Sequence, residues 1–329
     1  MIHLNRNSTE SGINPSDIGL TNVKELTSEL SSTILYIMHY VNAPSDAKCV
    51  VVSGATEGIA TFIHWAMSPP MKGGFDLAEG LAEMYAGAMN RTVVGTSFDH
   101  PSVKDNVINY GGTYEYINNK NVKDACGIIL TQVDGKTGSI LNIDNFWSNI
   151  PNVSGLILLD ASQAIGKVPV DMRRSKADAC TFSLHKLGFD KGLGLFIFTE
   201  TKKKFVPLIA GKQQNGYRGG TLDLFALNGF RVPKFTFPSK EVWTNAVEQI
   251  EKAGLHVVRP RKEHLHDTIL IQCKKNVLQV IEKLYSKGIE TGTSSSCLQG
   301  ADNLLRITGS KDSDFDEAVI AKIISAIID

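Results

Sequence analysis

Asp160 and Lys186 are the side chains whose types and placement suggest chemistry first. Both fall in the stretch LILLDASQAIGKVPVDMRRSKADACTFSLHKLGFDKGLGLFIF, where three short apolar runs are punctuated by an acid, a glutamine and a lysine. The run Leu156–Leu159 is too short for a helix. Asp160, Gln163, Lys186, Gly192 and Gly194 stand just past the ends of such runs, where α/β sheets hold their ligands. An acid after one strand and a lysine in the loop after another fit a site for pyridoxal 5'-phosphate (PLP). There the lysine forms a Schiff base and the acid keeps the pyridinium nitrogen protonated, so the ring serves as an electron sink. By themselves two such residues are more often a solvated lysine and a helix-capping aspartate.

The elements that must carry them can be read in order. From Asn22 onward, Val23, Leu26, Leu30, Ile34, Met38 and Val41 recur at helical spacing, with Asn22 and Glu25 as an N-cap signature. Cys49–Val52 is a short β-branched run that ends in SGATEG and passes into IATFIHWAM: strand, tight turn, helix. That turn presents backbone N–H groups at a helix N-terminus, a natural phosphate cradle. SPPMKGG reads as a loop and Leu77–Met89 as a helix. Arg91–Thr96 reads as a strand that ends at SFDHPSVKDNV, which puts His100 at a strand-to-helix junction.

Further strands are expected near Tyr114 and over 127–132, 156–159, 179–182 and 195–198, with helical stretches such as 142–150 between some of them. Alternating strands and helices predict an α/β fold with a mostly parallel, doubly wound sheet. Beyond GYRGGT the pattern changes. Helices over 240–253, 277–287 and 314–328, with strands over 256–258 and 269–273, predict a compact α+β unit. The expected division is a large α/β domain over 15–228 and a small α+β domain built from 1–14 and 229–329.

Composition excludes several classes. The chain has 329 residues, 42% hydrophobic and 21% charged, enough to bury two cores. Lys+Arg 34 balances Asp+Glu 34, so no overall field favours nucleic acid or an anionic membrane. No apolar run reaches the roughly 18 residues that span a bilayer, and MIHLNRNSTESG lacks the apolar core of a signal peptide, so a cytoplasmic protein is expected. The five cysteines are odd in number and widely spaced, without a CxxC pair, which argues against a disulfide framework and against a metal site. Cys49, Cys126, Cys180 and Cys273 lie in or beside apolar runs and read as small core residues. Cys297, in GTSSSCLQG, differs: a polar, Gly/Ser-rich loop leaves a thiol reachable.

Taken in order, SGATEG, DHPSV, LDASQAIGKVPVD, SLHKLGFDKGLG, GYRGGT and SSSC resemble, over nearly the whole chain, the NifS-like cysteine desulfurases. These are PLP-dependent enzymes of fold type I in the class V aminotransferase group. The resemblance implies a seven-stranded-type, mostly parallel sheet in the large domain and a small domain carrying a catalytic cysteine loop. It implies that Ala55, Thr56, Ser183, His185 and Lys186 hold the phosphate and cofactor, with Asp160 on the ring nitrogen and Gln163 on the phenolic oxygen. By the same resemblance His100 stacks over the ring and serves in proton transfer, and Thr221 reaches the phosphate of a neighbouring subunit, which implies a homodimer.

Cys297 matches the family's nucleophile and Arg306, in NLLRITG, its carboxylate-gripping arginine; Asn5 and Asn7 loosely match a substrate loop. The implied reaction converts L-cysteine to L-alanine and leaves the sulfur on Cys297 as a persulfide. It then passes to an acceptor protein such as an iron–sulfur scaffold or a tRNA-thiolation relay. Two departures stand out. Asp134 and Gly135 occupy the place of a family asparagine pair, and only residues 298–305 separate Cys297 from Arg306. They keep two alternatives in view: another class V enzyme (an aminotransferase, selenocysteine lyase or related lyase), and a non-catalytic binding protein.

Overall fold

The computed structural model describes residues 2–3, 33–69, 91–150, 153–187, 189, 191–221, 237–261, 263–294 and 303–328. Asn5, Asn7 and Cys297 lie outside the described residues, as does the expected helix over 77–89. Of the helix expected from Asn22, residues 33–40 are described and helical.

The chain divides into two compact units, one of residues 1–9, 133–140 and 233–329, the other of residues 10–132 and 141–232. In chain order the strands are β1 (Ile2–His3), β2 (Lys48–Val52), β3 (Thr92–Gly95), β4 (Thr113–Tyr116), β5 (Gly127–Thr131), β6 (Leu156–Asp160), β7 (Ala179–Ser183), β8 (Gly194–Phe198), β9 (His256–Val257), β10 (Thr268–Gln272), β11 (Ile289–Glu290), β12 (Gly292–Thr293) and β13 (Leu304–Thr308). The helices used below are α1 (Ala55–Met67), α2 (Pro101–Asn109), α3 (Ile143–Asn149), α4 (Lys240–Lys252), α5 (Val277–Ser286) and α6 (Glu317–Ile328).

The larger unit is built on a seven-stranded sheet in the order β2-β8-β7-β6-β5-β3-β4. Every strand but β8 runs the same way; β8 is antiparallel to both its neighbours, β2 and β7. Strands β5, β6, β7 and β8 are buried along their whole length, which is why they read as unbroken apolar runs rather than as alternating ones. The α/β, mostly parallel seven-stranded sheet expected from sequence is therefore the one observed. Its reversed strand was not expected, because GLFIF carries no signal of direction.

Helix α1 packs on this sheet through Ile59, Phe62, Ile63 and Trp65, all essentially without exposure. Each such side chain contributes about 1.5–3 kcal/mol by leaving water. Gly58 makes the approach possible: a Cβ there would sit 2.0 Å from Thr181 Oγ1 on β7. At the far end of the helix, Lys203 Nζ donates to the carbonyls of Trp65 at 2.8 Å and Ala66 at 3.0 Å, and also to that of Ser68, satisfying groups the helix leaves unpaired.

The smaller unit has a four-stranded sheet, β12-β13-β10-β9, and a parallel pair, β1-β11. Trp243, Ile250, Ile269, Ile271, Leu284, Ile307, Ile320 and Ile323 from α4, α5, α6 and the sheet form its core. The strand β13 was not expected from sequence. Its pattern LLRIT is interrupted by an arginine, yet that residue is buried in the middle of the strand.

Among the described residues, no helix is long and apolar enough to cross a membrane, and no cluster of His, Cys, Asp or Glu could hold a metal ion.

Candidate functional site

Because β2, β3, β5, β6 and β7 run in one direction, their carboxyl ends share one edge of the sheet. Those ends deliver, in turn, the Gly54–Thr56 turn, Asp99 and His100, Thr131, Asp160, and Ser183 with the short 3-10 helix Leu184–Leu187 that carries His185 and Lys186. The reversed strand β8 contributes its amino end. Gly194 pairs with Val52 on one side and Ser183 on the other, so the phosphate-type turn and the lysine loop are held against a common strand. The backbones meet closely there: a Cβ on Gly194 would lie 2.7 Å from Gly54 Cα and 2.8 Å from the Phe182 carbonyl.

At the turn, Ala55 N donates to Ser183 Oγ at 2.8 Å. Ser183 is buried and Thr56, one residue into the helix, is exposed. This gathers backbone donors at the start of a 13-residue helix with a serine hydroxyl, a donor set suited to a phosphate.

Asp160 is buried at the end of β6, where its Oδ1 accepts from Ser162 N at 2.9 Å and Ser162 Oγ at 2.5 Å. Burial pushes its pKa up, against the pull of the Ser162 hydrogen bonds, His100 and Lys186. A carboxyl so placed is suited to a cation that enters the site with a ligand, such as a protonated ring nitrogen.

His100 caps α2: its Nδ1 accepts from Ser102 N at 3.1 Å and lies 2.8 Å from Ser102 Oγ. Nδ1 is thereby an acceptor, and in the neutral ring the proton sits on Nε2. Burial lowers its pKa, Asp160 and Asp105 raise it, and Lys186 lowers it, with the balance below the ordinary value. His185 is pushed further down, to about 4, by burial and by Lys186 and Lys191. Asp160, His100 and Lys186 are thus brought within electrostatic reach of one another, and both histidines are neutral near pH 7.

Gln163 is half-buried just after β6, and Thr221 is exposed at the end of the loop that follows β8. Arg306 belongs to the other unit. It is buried at the centre of β13, across from Leu270 on β10 and Gly292 on β12. Its Nη1 donates to the Gly135 carbonyl at 3.3 Å. Burial lowers its pKa, while Asp134 and Asp267 pull it back up. Asp134 itself holds a tight turn, accepting from Lys136 N at 3.0 Å and Thr137 Oγ1 at 2.7 Å.

The described cysteines do not resemble nucleophiles. Cys180 and Cys273 are buried, Cys49 and Cys126 half-buried, and burial pushes all four thiols up, Cys49 to about 12.

Sequence reasoning missed Asp99. Its Oδ1 accepts from Thr96 Oγ1 at 2.8 Å and Thr131 Oγ1 at 2.7 Å, and Oδ2 accepts from Tyr114 OH at 3.1 Å. Desolvation pushes this carboxyl up to about 7, with a further contribution from Asp160. The one available signal was an acid directly before His100 at a strand end.

The pattern of the family Aminotransferase class-V matches residues 9–217, and the chain belongs to that family. Its curated relatives include a cysteine desulfurase of Nostoc sp., 27% identical over 157 residues that cover 43% of this chain and 39% of the relative. The aligned stretch thus spans only about two fifths of such a relative's length. Among solved structures, one titled "NIFS-LIKE PROTEIN" superposes with a TM-score of 0.75 at 16% identity, covering 98% of each chain. Another, titled "SspA in complex with cysteine", gives 0.61 at 17% identity, covering 94% of this chain and 99% of that one. The fold is that of the NifS-like proteins, the fold type I architecture of PLP enzymes.

Proposed function

We propose that this protein is a PLP-dependent cysteine desulfurase, converting L-cysteine to L-alanine and passing the sulfur to Cys297 as a persulfide. The observation that carries the reading is the convergence of Lys186, Asp160 and His100 on one sheet edge beside the Ala55–Ser183 cradle. The residues fit the cofactor. Thr56 and the Ser183 hydroxyl, which the bond from Ala55 N holds in place, offer donors to a phosphate, Asp160 a buried carboxyl to a ring nitrogen, Gln163 an amide to the phenolic oxygen, and Lys186 an amine for covalent attachment. Membership of the class V family and the relatives' desulfurase names support the same reading. When bound, the cofactor would supply an electron sink for bond cleavage at the substrate.

The chain's own groups divide the rest of the work. Arg306 binds the substrate carboxylate with its planar fork. Lys186 Nζ removes the Cα proton, and His100 Nε2 holds a proton that it can exchange with a reacting group. The Cys297 thiolate attacks the substrate sulfur. The carbon–sulfur bond breaks with its electron pair left on the alanine skeleton, a sulfur–sulfur bond forms on Cys297, and protonation of that skeleton releases L-alanine. The persulfide passes to an acceptor protein. Thr221 completes the phosphate site of a second subunit in a cytoplasmic homodimer, and residues 15–228 form the cofactor domain.

Incubation of the purified protein with PLP, L-cysteine and a reductant tests this directly. A visible band lost in Lys186→Ala, with sulfide and alanine formed in equal amounts, supports the reading; background sulfide and alanine with the cofactor bound refutes it. The second reading, another class V lyase or aminotransferase, is favoured by one observation, the Asp134 carboxylate beside Arg306. Cys297→Ser separates the two, since it abolishes desulfuration but leaves a transamination intact.

A further inference from the structure

The phosphate turn contains a feature that, taken alone, works against a phosphate. Glu57, at the third position of α1, folds back so that its Oε2 accepts from Ser53 N at 2.7 Å and braces the turn. The bracing places a carboxylate in the first turn of the helix whose amino end is to receive a dianion. A phosphate held at that amino end and the Glu57 carboxylate would repel, and low-dielectric surroundings would strengthen the repulsion.

Arg218 answers that charge. Its Nε donates to Glu57 Oε1 at 2.9 Å and its Nη2 to Oε2 at 3.2 Å, a two-pronged pair whose side chains are only 18% and 11% exposed. The arginine arrives from a loop fixed for the purpose. Gln214 presents its amide to the outer strand β2, where Oε1 accepts from Val51 N at 2.7 Å and Nε2 donates to Val51 O at 2.9 Å. It does so from a left-handed backbone, with φ 46° at Gln214 and 58° at Asn215, a conformation that side chains disfavour and that persists where surrounding contacts impose it.

We infer that Arg218 is a positioning and charge-compensating residue of the phosphate site. By cancelling Glu57, it lets one side chain brace the turn without repelling the cofactor's phosphate. The inference rests on the PLP reading above and adds to it a role, within one subunit, for a loop otherwise expected to serve the neighbouring one through Thr221.

The test is a binding measurement. Cofactor-free wild type, Arg218→Met and Glu57→Gln/Arg218→Met are titrated with PLP and with pyridoxal, which lacks the phosphate, following the visible band. Arg218→Met should weaken PLP at least about tenfold, the size expected for one uncancelled charge near a dianion, and leave pyridoxal unchanged. The double variant should recover most of the lost PLP affinity. Equal losses for PLP and pyridoxal, or a double variant as weak as the single, would overturn the inference in favour of a purely structural clamp. Should Arg218→Met fail to fold, Arg218→Lys decides: it keeps the charge and should bind PLP within a few-fold of wild type. A wild type that takes up neither ligand refutes the cofactor reading itself, a result distinct from any of these.

Discussion

Asp99 Oδ1 accepts the Thr131 hydroxyl at 2.7 Å, a hydrogen bond between residues 32 positions apart. Thr131 is in turn the register partner of Asp160 on the neighbouring strand, so two carboxyls flank one threonine under the site.

The first prediction follows from that pair. Desolvation holds Asp99 near pKa 7 in the folded chain, against an ordinary value of 3.8. Between those values the unfolded chain has released the proton and the folded chain keeps it, so this group's contribution to stability falls as pH rises through the window and is level above it. Asp99→Asn, which keeps an oxygen acceptor and removes the ionisation, should therefore gain on wild type as pH rises from 4 to 7. Thermal denaturation of both proteins at pH 4.5 and pH 8 checks this; a melting difference that does not move in the variant's favour contradicts it.

Gly194→Ala should damage fold and site together. The added methyl would lie 2.7 Å from Gly54 Cα and 2.8 Å from the Phe182 carbonyl, and backbone cannot move aside cheaply. A loss of about 1–3 kcal/mol in stability is expected. PLP affinity should fall as well, because the displaced residue is part of the phosphate turn. Denaturant melts and a cofactor titration of the same preparation measure the two effects.

Asp134→Asn probes substrate hold. The Asp134 carboxylate stabilises the Arg306 charge, so under the proposed role of Arg306 it would compete with the substrate carboxylate for that arginine. Asparagine keeps an oxygen for Lys136 N, so the local turn should survive. KM for L-cysteine should drop by roughly threefold to tenfold with kcat within about twofold, the pattern of a change in ground-state binding. An unchanged KM would show that Asp134 does not tune the arginine.

Much of the sheet was legible in sequence because its central strands are buried on both faces and therefore read as short apolar runs, Leu156–Asp160 above all. The turn before α1 and the junction at His100 were legible for a related reason: strand ends and helix caps have local residue preferences. What escaped reading was non-local. Strand β13 hides its identity behind Arg306, a buried charge that Asp134 and Asp267, distant in the chain, help to offset. Asp99 has no local signal beyond its place before His100, because the residues that close around it, Thr131 and Tyr114, come from other strands. The direction of β8 depends on which neighbours it pairs with, and no residue type in GLFIF encodes that.

That reversed strand also bears on the order in which the site is assembled. β7 and β8 are joined directly, with Ser183 opposite Gly194 and Leu184 N donating to Leu193 O at 2.9 Å, so Lys186 rides on a hairpin whose contacts are near in sequence. The bond from Ala55 to Ser183 instead spans 128 positions. Closing a short loop costs less entropy than closing a long one, and hairpins form within microseconds. On that ground the lysine's turn forms ahead of the Ala55–Ser183 contact, which closes only when the far end of the chain segment returns to meet it.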